Sequence, residues 1–253
     1  VVQSLRADLV IISGDFVEHA TESEFESARD YLKLLPQPQM VVPGNHDYPF
    51  YDPFRRYWQG LRLYQRYISN DCDPLYRDAE IVVTGITTPR VFPMKGGRVS
   101  RAQLNRIRAR TCDLPREIVR VLVTHHPLDL PEQFRTRQLV RKAARAVEIL
   151  SPCIDLMLAG HLHLSSTGAT AVRYQRTGHS AVFAQAGTAL SRRNKGEPNS
   201  FNEIRIESSR IQIRHHVWDE GTRTYRPREW EIFETGEGGW KKVEGTGERQ
   251  VRL

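Results

Sequence analysis

Cysteine is scarce in this chain: Cys72, Cys112 and Cys153 are its three, an odd number with no Cys-x-x-Cys spacing. They offer no disulfide framework, Cys153 reads as a small core residue beside Ile154, and a reducing, cytoplasmic location is expected. No apolar run reaches the roughly 20 residues that a membrane-spanning helix requires. Lysine is almost missing too, with 6 residues against 31 arginines, and the arginines are scattered without interleaved aromatics. A formal net charge of +7 therefore describes an arginine-rich solvated surface rather than a nucleic-acid groove. No internal repeat and no long linker divides the 253 residues, a length that suits one α/β domain.

Four short polar blocks stand out: Gly14-Asp15, Gly44-Asn45-His46-Asp47, His125-His126-Pro127 and Gly160-His161-Leu162-His163. Each follows an apolar run, respectively Leu9–Ile12, Met40–Val42, Val121–Val123 and Leu156–Leu158. Such runs read as buried strands of a parallel sheet, and strand ends are the usual binding edge of an open α/β sheet. Taken singly, each block is ordinary. Gly-Asp and Gly-Asn are turn chemistry, Pro127 closes a strand, and His-x-His puts two imidazoles on one face only where the chain is extended. Their joint occurrence points to a shared metal site. A carboxylate can span two cations, an asparagine offers a carbonyl oxygen, and imidazoles suit Mn, Fe, Zn, Co or Ni. Two such ions roughly 3.5–4 Å apart activate a water and clamp a phosphoryl group.

The order and residue types of these blocks resemble the calcineurin-like metallophosphoesterases, whose pattern is Asp-x-His, Gly-Asp, Gly-Asn-His-[Asp/Glu], a lone His, and Gly-His-x-His. The resemblance runs to about Val217, and the His-His-Pro form of the third block is closest to the bacterial branch related to cyclic-nucleotide phosphodiesterases. It implies an α/β fold of two stacked mixed sheets flanked by helices. It implies two divalent or iron-type ions, one held by Asp15, Asn45, His125 and His161, the other by Asp15, His163 and the Asp-x-His pair. No Asp-x-His occurs in this sequence, so the second set is half complete and one ion is the minimum for this chain. Since the family carries that motif on its first strand, the sequence reads as a fragment of a longer chain. The resemblance makes His46 the catalytic residue beside the substrate, donating a proton to the leaving oxygen. Asp47 either orients His46 or forms the turn, and His126 either faces substrate or packs.

The implied activity is hydrolysis of a phosphodiester by a metal-bound hydroxide, with a small phosphodiester or nucleotide, such as a 3',5'-cyclic nucleotide, as substrate. The alternative is a catalytically impaired binding or scaffold module, which the absent Asp-x-His favours and the six retained site residues oppose. Local patterns predict helices over Glu22–Leu35 behind a Thr21 cap, Tyr51–Trp58 beside the Asn45 turn, from Ser100 through Ile107, and Arg135–Leu150. Strands are predicted at Ile81–Val83, Asn202–Ile206, Ile211–Val217 and Tyr225–Phe233, with His215 and His216 structural. Arg192, Arg193 and Lys195 fall in a Gly/Pro/Asn-rich loop that either touches a substrate phosphate or is simply solvated. The domain is expected to span residues 1–235, with 236–253 a Gly-rich mobile tail.

Overall fold

Alternation along the apolar strands decides which layer each residue joins. The computed structural model describes residues 1–92, 96–131, 138–170, 174, 179–191 and 196–243. The first half contains β1 (Val10–Ile12), α1 (Glu22–Leu32), β2 (Gln39–Val41), α2 (Pro53–Gln59), α3 (Arg62–Tyr67), β3 (Leu75–Arg77), β4 (Ile81–Ile86), α4 (Arg101–Thr111) and β5 (Val119–Thr124). Then come α5 (Ala143–Leu150), β6 (Leu156–Ala159), β7 (Ser166–Ala169) and β8 (Val182–Gln185). Five strands close the described chain: β9 (Ser200–Glu207), β10 (Arg210–Asp219), β11 (Thr224–Pro227), β12 (Glu231–Gly236) and β13 (Gly239–Val243).

One sheet has the order β3-β4-β5-β6-β8-β7. Its four inner strands are parallel and its two edge strands antiparallel. The second is antiparallel and built on β10, which pairs with β9 along one edge and with β12 and then β11 along the other. β1 and β2 form a parallel pair of their own. Val121, Val123, Leu156 and Leu158 turn toward Ile211, Ile213, Phe233 and Trp240, and Met40 and Val42 join the same core. The alternate residues Leu122, Met157 and Phe183 turn the other way, against Ile107 of α4 and Val147 and Leu150 of α5. On the far side, α1 and α3 cover the β1–β2 pair through Phe25 and Tyr64, with Val41 packed beneath. The result is the expected α/β architecture of stacked β-sheets between helices.

Helix starts follow local chemistry. Thr21 and Glu24 form a reciprocal capping box for α1, as Ser100 and Gln103 do for α4. Several predicted elements are corrected. Lys142 sits at φ 61° and α5 starts only after it, at Ala143; residues 135–137 lie outside the described chain. The strand expected over Tyr225–Phe233 is two, β11 and β12, separated by the irregular residues 228–230. The tail expected from Gly236 instead continues as β13, hydrogen-bonded to β12, with Trp240 only 3% exposed and its Nε1 donating to Asp155 Oδ1 at 2.9 Å. A buried tryptophan outweighs the local glycines there; residues 244–253 are outside the described chain.

The cysteine arithmetic also needs correcting. Cys112, just past α4, and Cys153, just before β6, form a disulfide, and Cys72 is the free thiol. Spacing hid the pair, because the two residues meet only once α4 packs beside the chain entering β6. Such a bond is at odds with the reducing compartment expected from composition. Among the described residues no helix is long and apolar enough to cross a membrane.

Candidate metal centre

All four polar blocks lie where strands end: Gly14-Asp15 after β1, Gly44–Asp47 after β2, His125-His126 after β5 and Gly160–His163 after β6. β1 runs parallel to β2 and β5 to β6, so each pair of loops leaves its sheet side by side. Ser13 O accepts from His125 Nδ1 at 2.7 Å, which ties the two pairs together, and Gly160 N donates to His125 O at 3.0 Å within the second pair. Glycine permits this approach. Gly14 has φ +95°, and a Cβ on it would lie 2.5 Å from Gly44 N; a Cβ on Gly44 would run into the Asp15 carboxylate.

The donor atoms converge. Asn45 Oδ1 is 3.0 Å from His125 Nε2 and 2.9 Å from His161 Nδ1, and those two nitrogens are 3.2 Å apart. Asp15 Oδ2 is 3.4 Å from His125 Nε2. Donors spaced by about 3–3.4 Å are what bonds of about 2.1 Å to one ion impose at octahedral or tetrahedral angles. Because the Ser13 carbonyl can only accept, His125 Nδ1 carries the proton and Nε2 is left to act as ligand. The donor set of one carboxylate, one amide oxygen and imidazoles suits a borderline transition-metal ion.

His126 was left open by the sequence and is drawn into this group: one ligand atom from each of His125, His126 and His161 lies within 4.8 Å of the others. Thr88 fixes it, its Oγ1 lying 3.0 Å from His126 Nδ1 and accepting from the His126 N–H. His163 is different. It is half-buried on the same loop but outside that cluster. His161 and His163 have φ of 75° and 61°, so the His-x-His segment is a left-handed turn and not the extended stretch that would align them.

Asp47 does something other than orient His46. Its Oδ2 accepts from Gly44 N at 2.7 Å and Asp15 N at 3.1 Å, and its Oδ1 from Phe16 N at 2.8 Å. It staples the first ligand loop to the second. His46 is held separately, its N–H donating to Asp15 Oδ1 at 2.9 Å, its Nδ1 to Glu18 O at 3.1 Å, and its ring stacked on Phe50 at 4.5 Å. Arg56 is fully buried and donates from Nη1 to Asn45 O at 3.1 Å, a support for the ligand loop that no motif announced.

Charge is distributed unequally over these groups. Burial opposes ionisation of Asp15, but the neighbouring His125 and His46 outweigh it and hold the carboxyl well below its ordinary range. Burial likewise opposes a charge on His125, and Asp15 reverses the balance and raises it. Asp47 is pushed up to about 7 by burial and by the charge of Asp15. Arg192, Arg193 and Lys195 lie outside the described residues.

Comparison with known proteins agrees with this geometry. A family model described as calcineurin-like phosphoesterase matches residues 1–165. The chain is 24% identical over 165 residues to the "Probable glycerophosphodiester phosphodiesterase GpdQ" of Arcobacter nitrofigilis, covering 64% of this chain and 59% of that one, less than two thirds of its length. It is 20% identical over 219 residues to the 3',5'-cyclic adenosine monophosphate phosphodiesterase CpdA of Haemophilus influenzae, covering 81% of this chain and 75% of that one. Among solved structures, one described as PhoD shares the fold with a TM-score of 0.65 at 11% identity, over 97% of this chain and 68% of that one.

Proposed function

The chain belongs to the calcineurin-like phosphoesterase family, and on that premise we propose that it is a metal-dependent hydrolase of small phosphodiesters. The observation that carries this reading is the convergence of Asn45 Oδ1, His125 Nε2 and His161 Nδ1 within 3.2 Å of one another, with Asp15 Oδ2 at 3.4 Å from His125. These four residues would hold the ion. A divalent ion there supplies Lewis-acid charge for the phosphoryl oxygens and makes a water acidic enough to attack near neutral pH.

The remaining roles fall to the protein. Asp15 keeps its charge, and its other oxygen fixes the backbone of His46 at 2.9 Å. The Glu18 carbonyl pins a proton on His46 Nδ1, so Nε2 is the atom that exchanges a proton with the leaving oxygen. A second ion, sharing Asp15 and taking His163, rests on the resemblance alone. Substrates to try first are 3',5'-cyclic nucleotides and glycerophosphodiesters, the classes named for the two relatives.

Hydrolysis of an aryl phosphodiester with added Mn²⁺ tests this reading. Asp15→Ala should abolish turnover, and His46→Asn should lower kcat by about 10²–10⁴-fold while Mn²⁺ still binds. The competing reading is a module that binds but does not hydrolyse. Mn²⁺ binding that is lost in Asp15→Ala, without turnover in the unaltered protein, would select it.

A further inference from the structure

Helix α2 is built inside out. Its Arg56 is fully buried, whereas Phe54, Tyr57 and Trp58 are 81%, 64% and 73% exposed. An ordinary surface helix does the reverse. Arg56 can stay inside because Nε donates to Val91 O at 2.8 Å, Nη1 to Asn45 O at 3.1 Å and Nη2 to Arg90 O at 2.8 Å, with the Tyr48 ring 4.7 Å away. Phe54, Tyr57 and Trp58 are left on the outer side of the helix. Tyr51, one turn ahead of Phe54, is 56% exposed, and Phe92, next to the segment that Arg56 grips, is 55% exposed. Single exposed apolar residues are common, but a cluster of large aromatics on one surface marks an interaction site.

We propose that this face docks the protein onto an anionic phospholipid surface. Trp, Tyr and Phe on a short helix flanked by arginine is the composition of an interfacial anchor. Arg62, which opens α3 soon after α2 ends, is exposed, and so is Arg98, whose carbonyl accepts at 3.0 Å from the Arg90 whose own carbonyl holds Arg56. The acids nearby are engaged: Asp52 caps α2 by accepting from Arg55 N at 2.9 Å, and Glu22 pairs with Arg66 at 2.9 Å. A net charge of +7 draws the chain to an anionic surface and repels a second copy. Because α2 spans only Pro53–Gln59, the anchor is shallow and depends on that charge. Phe50 and Tyr51, with ring centres 4.5 and 6.3 Å from that of His46, connect the patch to the metal centre, so docking would bring that centre to the lipid–water boundary.

Co-sedimentation with vesicles tests the proposal, using phosphatidylcholine alone and phosphatidylcholine with added phosphatidylglycerol. The protein should pellet with the anionic vesicles and be released by salt, and Phe54→Ala/Trp58→Ala should cut the bound fraction about tenfold. A blue shift of tryptophan emission on anionic vesicles, absent in Trp58→Phe, should accompany binding. No sedimentation with anionic vesicles would overturn the proposal, as would binding undiminished in the double variant. So would a stable dimer that the double variant dissociates, because the patch would then join two copies. The readout is binding and not turnover, so failure of the proposed chemistry leaves this test intact.

Discussion

Replacing Asp47 by alanine removes the acceptor of three backbone N–H groups, those of Gly44, Phe16 and Asp15, at 2.7, 2.8 and 3.1 Å. Asp47 is 1% exposed, so water does not readily take its place. Leaving a buried donor unpaired costs about 1–3 kcal/mol. Gly44 N incurs the upper end and the two half-buried donors less, about 4 kcal/mol together. One effect works the other way. Asp47 is raised to about 7 by burial and by Asp15, so its ionised form is disfavoured in the fold and alanine relieves that. Raising a carboxyl from 3.8 to about 7 costs the fold about 4 kcal/mol at neutral pH, so the two effects nearly cancel there. That cost fades as pH falls toward 3.8, so the loss of about 4 kcal/mol, or about 10 °C in Tm, is read at about pH 4. Mn²⁺ affinity should fall about 10–100-fold, because the ligand loops lose their staple. Asp47→Asn carries no charge and keeps two of the three acceptors, so it should lie much closer to the unaltered protein. Circular-dichroism melts and Mn²⁺ titration calorimetry measure both quantities. An alanine variant that melts like the parent at about pH 4 and binds Mn²⁺ as tightly would refute the staple.

Two further perturbations probe the sheets. The Cys112–Cys153 disulfide closes a 41-residue separation, which corresponds to about 4 kcal/mol of lost chain entropy in the unfolded state; Cys112→Ser/Cys153→Ser should melt about 10 °C lower, and coincident melts would count against the closure. Glu231 is held down to about 2 by His215 first and then Lys242 and Thr167, against its burial. A carboxylate depressed in the fold stabilises above its unfolded value of 4.5, and that stability is lost as pH falls toward 2. Urea unfolding at stepped pH should show about 2 kcal/mol lost across this window, and Glu231→Gln should flatten it; an unchanged acid slope in the variant would remove Glu231 from the account.

The site was legible in proportion to how much of it lay in strand-end loops. Asp15, Asn45, His125 and His161 each follow a strand with at most three residues between, so the apolar runs locate them before any contact is known. What the sequence could not carry was loop conformation. His161 and His163 share the spacing of a strand but occupy left-handed backbone, φ 75° and 61°, and only His161 reaches the cluster. His126 looked interchangeable with a packing residue because its place is set by Thr88, far away in sequence. Asp47 stays open between His46 and the turn for a related reason: a carboxylate bonded to backbone N–H groups, here those of Gly44, Asp15 and Phe16, leaves no trace in the residue types it contacts.

The fold followed the same division. Runs that alternate or stay apolar gave β4, β5, β6, β9 and β10, while β3, β7 and β13 escaped notice because three to five residues carry too little periodicity. Glycine misleads most at Gly238-Gly239, where Gly238 in the turn and Gly239 at the start of β13 both take positive φ and so build a hairpin instead of loosening the chain. Helix α2 is the opposite case. The sequence predicts a short helix beside the Asn45 turn and the structure has one at Pro53–Gln59, yet periodicity says nothing about which way an arginine among aromatics will face. Arg56 turned inward because three backbone carbonyls, one from each of Asn45, Arg90 and Val91, were available to it. Once that guanidinium is buried, Phe54, Tyr57 and Trp58 are left on the outer face of a seven-residue helix. The support of the metal-ligand loop and the exposure of the aromatic patch are therefore one structural decision, so a substitution at Arg56 should perturb metal binding and surface behaviour together, whereas one at Phe54 or Trp58 should change the surface alone.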